Sequence, residues 1–225
     1  MSSSNPKRDL YAQFAVVAKA MAYEHRLELL ELVAQGERSV ETLAEACGLS
    51  IANTSQHLQH LRRAGLVGAR RDGKFVLYTL ADDTVLAAIS AVHRVAERNV
   101  GEVERILRSY FHARDDLEPV TRVELRRRMK HGLVMVLDVR PEDEFALGHL
   151  PGARNIPLSQ LKHQLSKLDR KTEIVAYCRG PQCVMAIEAV ELLRKKGFRA
   201  YRMEEGVMDW RARGWRVEKS RAEAP

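Results

Sequence analysis

The 225-residue chain has only three cysteines. That is too few for a disulfide scaffold, and nothing else in the chain calls for one. It has no apolar run approaching the ~20 residues needed to cross a bilayer. Its opening, MSSSNPKRDL, has no apolar segment of the kind an export signal needs. The expectation is a soluble protein of the reducing cytoplasm, with no membrane partner. A net basic excess is also missing from the first half. The net charge is +7, yet residues 1–118 hold 15 Lys and Arg against 16 Asp and Glu, while residues 119–225 hold 22 against 14. Any nucleic-acid reading of the first half must therefore rest on local charge and motif. The length allows one or two domains.

The stretch with the sharpest chemistry is Tyr177–Val184, YCRGPQCV. The β-branched run Glu173–Ala176 before it reads as a buried strand, and Met185–Leu193 after it reads as a helix. A cysteine in a tight Gly- and Pro-containing loop at a helix N-terminus lies where amides stabilise an anion. Cys178 should therefore ionise readily, and Arg179 beside it pushes the same way. Cys183 lies across the same loop. The plainer alternative for either cysteine is a small buried hydrophobe.

The first half reads as helices around a turn, followed by a hairpin. Leu10–Ala20 is amphipathic, with Phe14, Val17, Ala18 and Met21 on one face. Leu27 to Val33 forms the next apolar set, stopped by Gly36. In SVETLAEACGLS, Ser39 is a candidate N-cap, Val40, Leu43, Ala44 and Cys47 face inward, and Gly48 makes the turn. Ser50 caps the next helix, where Leu58 and Leu61 face inward and Asn53, Thr54, Gln56, His57, Gln59 and His60 face outward. Two short helices joined by a Gly turn form a helix-turn-helix. Its second helix would present Asn53, Thr54, Ser55, Gln56 and His57 to base edges in a major groove. Leu66–Val67 opens a strand, Arg70–Lys74 is a hairpin tip, and Phe75–Tyr78 returns, forming a wing. Arg62, Arg63, Arg70, Arg71 and Lys74 stand against a single acid, a local patch suited to phosphates. A long helix, roughly Asp82 to Tyr110, should follow.

At Arg26–Leu30, Leu43–Ser50, Ser55–Val67 and Arg70–Tyr78 the chain resembles the ArsR/SmtB family of dimeric bacterial repressors, over about residues 10–108. The resemblance implies operator DNA as partner and a homodimer closed by the first helix and the helix after the wing. Many members sense metals. Here Ser39 and Glu41 stand where a thiolate pair would be needed, and His93 with Glu97 makes only two ligands, so no metal is expected. Cys47 reads as core.

FHARDDLEP, from Phe111 to Pro119, marks a boundary. Beyond it, a basic helix ends at Gly132 and Leu133–Val139 is a continuous apolar strand. Glu142–Leu147 is a helix, Gly148–Pro157 a loop and Ser159–Leu168 a helix. The Cys178 strand and helix follow, then a short strand from Gly197–Tyr201 and a last helix at Asp209–Trp210. Alternation of this kind predicts an α/β domain with a parallel sheet. Asp138-Val139-Arg140, Glu144-Phe145, Gly148 to Ala153, Asn155-Ile156-Pro157, the Cys178 loop, Glu205-Gly206, Trp210 and Gly214 together resemble a single rhodanese domain. The loop length matches the sulfur-handling members.

The resemblance implies that Cys178 takes a sulfane sulfur and becomes a persulfide, from a donor such as thiosulfate, polysulfide or a small persulfide. It gives Asp138, Arg140, Glu144 and His149 the task of bracing the loop, with no cofactor. Arg179 would attract an anionic donor. Cys183 departs from the family pattern, where Arg, Ser or Thr is usual, and reads as a spare small residue or as a resolving cysteine.

The expected architecture is two domains: a mainly-α winged helix-turn-helix over 1–112 and an α/β rhodanese domain over 118–220. The expected function is a sulfur-responsive transcriptional regulator, a repressor by resemblance. The alternative is an active sulfurtransferase whose DNA-binding half localises or regulates it.

Overall fold

The computed structural model describes residues 5–107, 109, 119–181 and 183–220. The chain divides into two compact units, Met1–Ile89 and Ser90–Pro225.

The first unit begins with α1 (Pro6–Met21), started by Asn5, whose side chain accepts from the Lys7 amide. It continues through α2 (Glu24–Ala34), β1 (Arg38–Ser39), α3 (Val40–Cys47) and α4 (Ile51–Arg63) to a hairpin, β2 (Val67–Asp72) and β3 (Phe75–Leu80). The caps lie at the expected serines. Ser39 Oγ accepts the Thr42 amide and Ser50 Oγ accepts the Asn53 amide, which satisfies otherwise unpaired donors at each helix start. Between the two helices Gly48 adopts φ +63°, a left-handed conformation that ends α3 with little strain. Leu29, Leu30, Leu43, Leu58 and Leu61 are fully buried and form one core with Val67, Tyr78 and Ile89. Cys47 packs at its edge, half-buried.

Two details differ from expectation. A third, two-residue strand, β1, pairs antiparallel with β3, Arg38 opposite Tyr78. The wing also turns more tightly than the Arg70–Lys74 tip. Arg70 and Arg71 lie within β2, opposite Leu77 and Val76, and only Gly73-Lys74 connects Asp72 to Phe75. Gly73 has φ +57°, as a two-residue hairpin requires.

After the wing runs α5 (Asp83–Asn99), then α6 (Gly101–Ile106). The single long helix expected from Asp82 to Tyr110 is thus broken at Val100, whose backbone is extended at φ −109°, ψ 101°. Asn, a β-branched residue and Gly in succession all have poor helix propensity, and their sum outweighs the apolar stripe. Tyr110 and most of the expected boundary segment, Phe111–Pro119, lie outside the described residues.

The second unit also contains α7 (Arg122–Lys130), β4 (Val134–Asp138), α8 (Glu142–Leu147), β5 (Arg154–Asn155), α9 (Leu158–Gln164), β6 (Glu173–Tyr177), α10 (Val184–Lys195), β7 (Ala200–Arg202) and α11 (Val207–Ala212). The four strands form a parallel sheet in the order β5-β4-β6-β7. β6 is central and buried along most of its length, which explains its unbroken apolar sequence. β5 lies inside the stretch expected to be loop; two residues are too short for an alternation to register. Leu137, Val139, Ile156, Leu161, Ile174, Ala176 and Leu193 form the fully buried centre of the core. Among the described residues no helix is long and apolar enough to cross a membrane.

Candidate functional sites

The first unit offers one exposed polar face. α4 places Asn53, Gln56, Gln59, Arg62 and Arg63 in solvent, with Ser55 half-buried. Thr54 does not join them. It is fully buried, and its hydroxyl donates to the Ser50 carbonyl at 3.0 Å. Its place one turn ahead of Leu58 puts it on the inward face, so it braces the start of α4 and cannot read a base edge. His57 is half-buried, with its ring stacked on Tyr23 at 5.0 Å between centroids. Its imidazole is held below the ordinary 6.5, first by burial and then by the Arg26, His25 and His60 charges, with Glu24 opposing. A neutral ring is therefore favoured.

On the wing, Arg71 and Lys74 are exposed. Arg70 is forked on Glu37, with Nε to Oε1 at 2.7 Å and Nη2 to Oε2 at 2.6 Å, and Asp72 lies 3.3 Å from Nη1. The Glu37 hydrogen bonds hold its pKa above the ordinary arginine value. Its charge is compensated within the unit, unlike the role expected for it. Ser55, Gln59, Arg62, Arg70 and Arg71 line a cleft between α4 and the hairpin. Its exposed rims can meet a polyanion with hydrogen-bond donors and cations together.

The second unit offers a buried loop. β6 ends at Tyr177 and α10 begins at Val184, so Cys178 sits at the carboxyl end of the central strand. Cys178 is 2% exposed and Cys183 is half-buried. The two sulfurs are joined in a disulfide, with Cα atoms 6.3 Å apart, within the span such a bond allows. Cys183 is the N-cap of α10, and its amide donates to the Gly180 carbonyl. Gln182 lies outside the described residues.

The loop is fastened from several sides. Arg179 is forked on the buried carboxylate of Glu144, with Nη2 to Oε1 at 2.7 Å and Nε to Oε2 at 3.0 Å. This binds the loop to α8 and compensates the guanidinium. Beneath lies a fully buried pair in which Arg140 Nη2 meets Asp138 Oδ2 at 2.6 Å and also donates to the Gly148 carbonyl. Burial works against the Arg140 charge, but the Asp138 bonds and charge outweigh it and its pKa is raised. His149 is buried, with Nδ1 2.8 Å from the Phe145 carbonyl oxygen and its ring stacked on Phe145. Tyr177 OH accepts the Leu150 amide, and burial followed by the Asp138 charge pushes its pKa well up.

Further supports were missed by sequence reasoning or seen only as part of a pattern. Gly206 packs so closely that an added Cβ would lie 2.2 Å from the Arg179 carbonyl oxygen. Val207 and Met208 donate their amides to the Cys178 and Arg179 carbonyls. Asp209 accepts the Gly206 amide at 3.0 Å, and burial raises its pKa. Arg202, buried on β7, reaches the Pro181 carbonyl at 3.4 Å. Nothing local in the sequence marks Arg202, because its relation to the loop comes from the parallel register of β6 and β7.

Among the described residues no group of three or more His, Cys, Asp or Glu side chains is placed to hold a metal ion. Val139, Pro141, Pro157, Leu158 and Met185 line an open, mainly apolar cleft in this unit.

Comparison with known proteins finds a match over residues 24–68 to the family "Bacterial regulatory protein, arsR family" and over residues 121–213 to "Rhodanese-like domain". HTH-type transcriptional regulator Rv0324 of Mycobacterium tuberculosis is 40% identical over 216 residues, 96% of this chain and 95% of its own length. Transcriptional activator HlyU of Vibrio cholerae is 43% identical over 84 residues, 37% of this chain and 78% of its own. Among solved structures, the homodimeric winged helix-turn-helix DNA-binding domain of Mb0332 from Mycobacterium bovis is 40% identical, with a TM-score of 0.41. It covers 44% of this chain and 93% of that one.

Proposed function

The chain belongs to the ArsR family of HTH-type transcriptional regulators and carries a C-terminal rhodanese-like domain; from that premise we propose that it binds operator DNA as a homodimer and that sulfane sulfur arriving at Cys178 releases it. The observation that carries this reading is the Cys178 loop. A buried sulfur at the end of a central strand, a helix N-terminus beside it and a second sulfur bonded to it form a site for thiol chemistry. No other described cysteine has that setting.

DNA contact falls to Asn53, Gln56, Arg62, Arg63, Arg71 and Lys74, with Ser55 at the edge. Base recognition belongs to the amides of Asn53 and Gln56, and backbone positioning to the cations. Thr54, His57 and Arg70 hold this face in shape. Dimerisation is supported by an exposed apolar row on α1, Leu10, Phe14 and Val17 at i, i+4, i+7 spacing, with Tyr11 beside it. Val92 and Val95 on α5 are exposed as well. We assign the functional domains to 1–112 and 118–220, counting the helices after the wing with the DNA-binding half although compact packing divides the chain after Ile89, and the place of action is the cytoplasm, where operator DNA lies. Repression in the sulfur-free state is the direction we assign.

The test is operator affinity. The reduced full-length chain is titrated into labelled DNA from its own upstream region, before and after treatment with polysulfide. The expected result is tight binding when reduced, lost on treatment, and retained by Cys178→Ser under both conditions. Equal affinity in every state would remove the sulfur response. No binding when reduced would remove the operator reading itself.

A further inference from the structure

The second cysteine of the loop gives the site a course that a lone sulfur-accepting cysteine lacks. Cys183 is bonded to Cys178, so the fold brings the two sulfurs together without displacing either flanking element. Cys183 also occupies the N-cap position of α10, a helix of 12 residues, and a helix N-terminus is a setting that favours an anion. The loop's own cation, Arg179, is forked on Glu144. A persulfide on Cys178 would therefore have a nucleophile within reach.

We propose that Cys183 resolves the Cys178 persulfide, so that the loop takes up a sulfane sulfur, expels it as hydrosulfide and closes as the Cys178–Cys183 disulfide. The proposal rests on the reading of Cys178 as the sulfur acceptor. With a small persulfide as donor, the Cys178 thiolate attacks the outer sulfur, the S–S bond of the donor breaks and the donor leaves as its thiolate. The Cys183 thiolate then attacks the inner sulfur of the Cys178 persulfide. The Cys178–Cys183 bond forms, the bond to the outer sulfur breaks, and that sulfur leaves with the electron pair as hydrosulfide. The two cysteines are oxidised by two electrons, and the sulfane sulfur is reduced by two to sulfide. Return to the dithiol requires an external dithiol reductant.

The consequence is that the loop reports sulfane sulfur once per reduction and does not pass it on. A disulfide leaves no thiolate on Cys178 to accept another sulfur. The site is thereby a reader of sulfur load, and Cys183 is the residue that stops transferase turnover.

The experiment uses the reduced full-length chain and glutathione persulfide freed of sulfide by desalting. Intact mass, non-reducing peptide mapping and released sulfide are followed in wild type, Cys183→Ser and Cys183→Ala. In wild type the expected product is two hydrogens lighter than the dithiol, its Cys178 and Cys183 peptides are linked, and a hydrosulfide burst appears stoichiometric with chains. Both variants should keep one added sulfur on Cys178, lose the burst, and deliver sulfur to cyanide over repeated cycles where wild type stops after the first. A stable persulfide on wild type with Cys183 unlinked would overturn the proposal, and that measurement depends on no variant. A glutathione adduct on Cys178 in place of the persulfide in the variants would also overturn it. A Cys178 left unmodified in wild type and variants alike would remove the acceptor reading, and this proposal with it.

Discussion

The α4–wing face and the Cys178 loop use charge in opposite ways. On α4 and the wing, Arg62, Arg63, Arg71 and Lys74 stand in solvent, and the one arginine tied down, Arg70, is held by Glu37. Around the loop, Asp138, Arg140 and Glu144 are buried and partnered, and Arg179 is spent on Glu144. A surface meant to meet a polyanion needs cations whose counterions the partner can displace. Buried charges around a loop need partners of their own, because an unpaired buried charge is costly. Arginine thus stands in solvent at Arg62, Arg63 and Arg71, and is tied to a carboxylate at Arg70, Arg140 and Arg179. Which role it takes depends on whether a carboxylate faces it.

The largest effect should come from breaking the internal charges. Asp138→Ala strands Arg140 in a fully buried site and should destabilise the second unit by about 3–5 kcal/mol. Both tryptophans, Trp210 and Trp215, lie in that unit, so tryptophan emission in urea reports it selectively. A change below about 1 kcal/mol would mean that the pair braces nothing, since burial makes a lost partner expensive. Next comes Gly206→Ala. The added methyl meets the Arg179 carbonyl, so α11 or the loop must shift, at roughly 2–3 kcal/mol. The same urea titration measures it, and formation of the Cys178–Cys183 link should slow with it.

The exposed side of the comparison is sharpened by salt. Arg71→Ala and Lys74→Ala should each weaken operator binding and reduce the slope of log affinity against log salt by ~1. Arg70→Ala should change the slope less, because Glu37 already occupies that guanidinium. Equal slopes for Arg70→Ala and Arg71→Ala would contradict the distinction drawn between them. The smallest effect concerns His57. Its pKa is lower folded than unfolded, so the unfolded chain binds its proton first as pH falls. Stability from this group is complete above the ordinary value of 6.5 and declines as pH drops through it toward the lowered folded value. His57→Gln should flatten this acid limb in circular dichroism of the helices.

Much of this was legible in the chain because the relevant signals are local. Ser39, Ser50 and Gly48 mark the helix-turn-helix by caps and turn, and the run Ile174–Tyr177 marks the central strand. What was not legible depends on residues far apart. Glu37 and Arg70 are separated by 33 positions and Glu144 and Arg179 by 35, so no window in the sequence shows that either arginine is engaged. Thr54 was misplaced for a different reason. A polar residue at a helix start reads as outward by type, whereas its position one turn before Leu58 puts it inside. The two-residue strands β1 and β5 exist only through their partners, and Val100 interrupts a helix whose apolar stripe continues on both sides.

The central claim is that sulfur chemistry at Cys178 and operator binding are coupled, and coupling between two equilibria must act in both directions. The direct measurement is the reduction potential of the Cys178–Cys183 couple in the full-length chain, with and without saturating operator DNA. If the reduced form binds operator more tightly, DNA must stabilise the dithiol and raise the potential, by about 30 mV for each tenfold difference in affinity. A potential unchanged by operator would contradict an account in which closure of the Cys178–Cys183 disulfide is what releases the DNA.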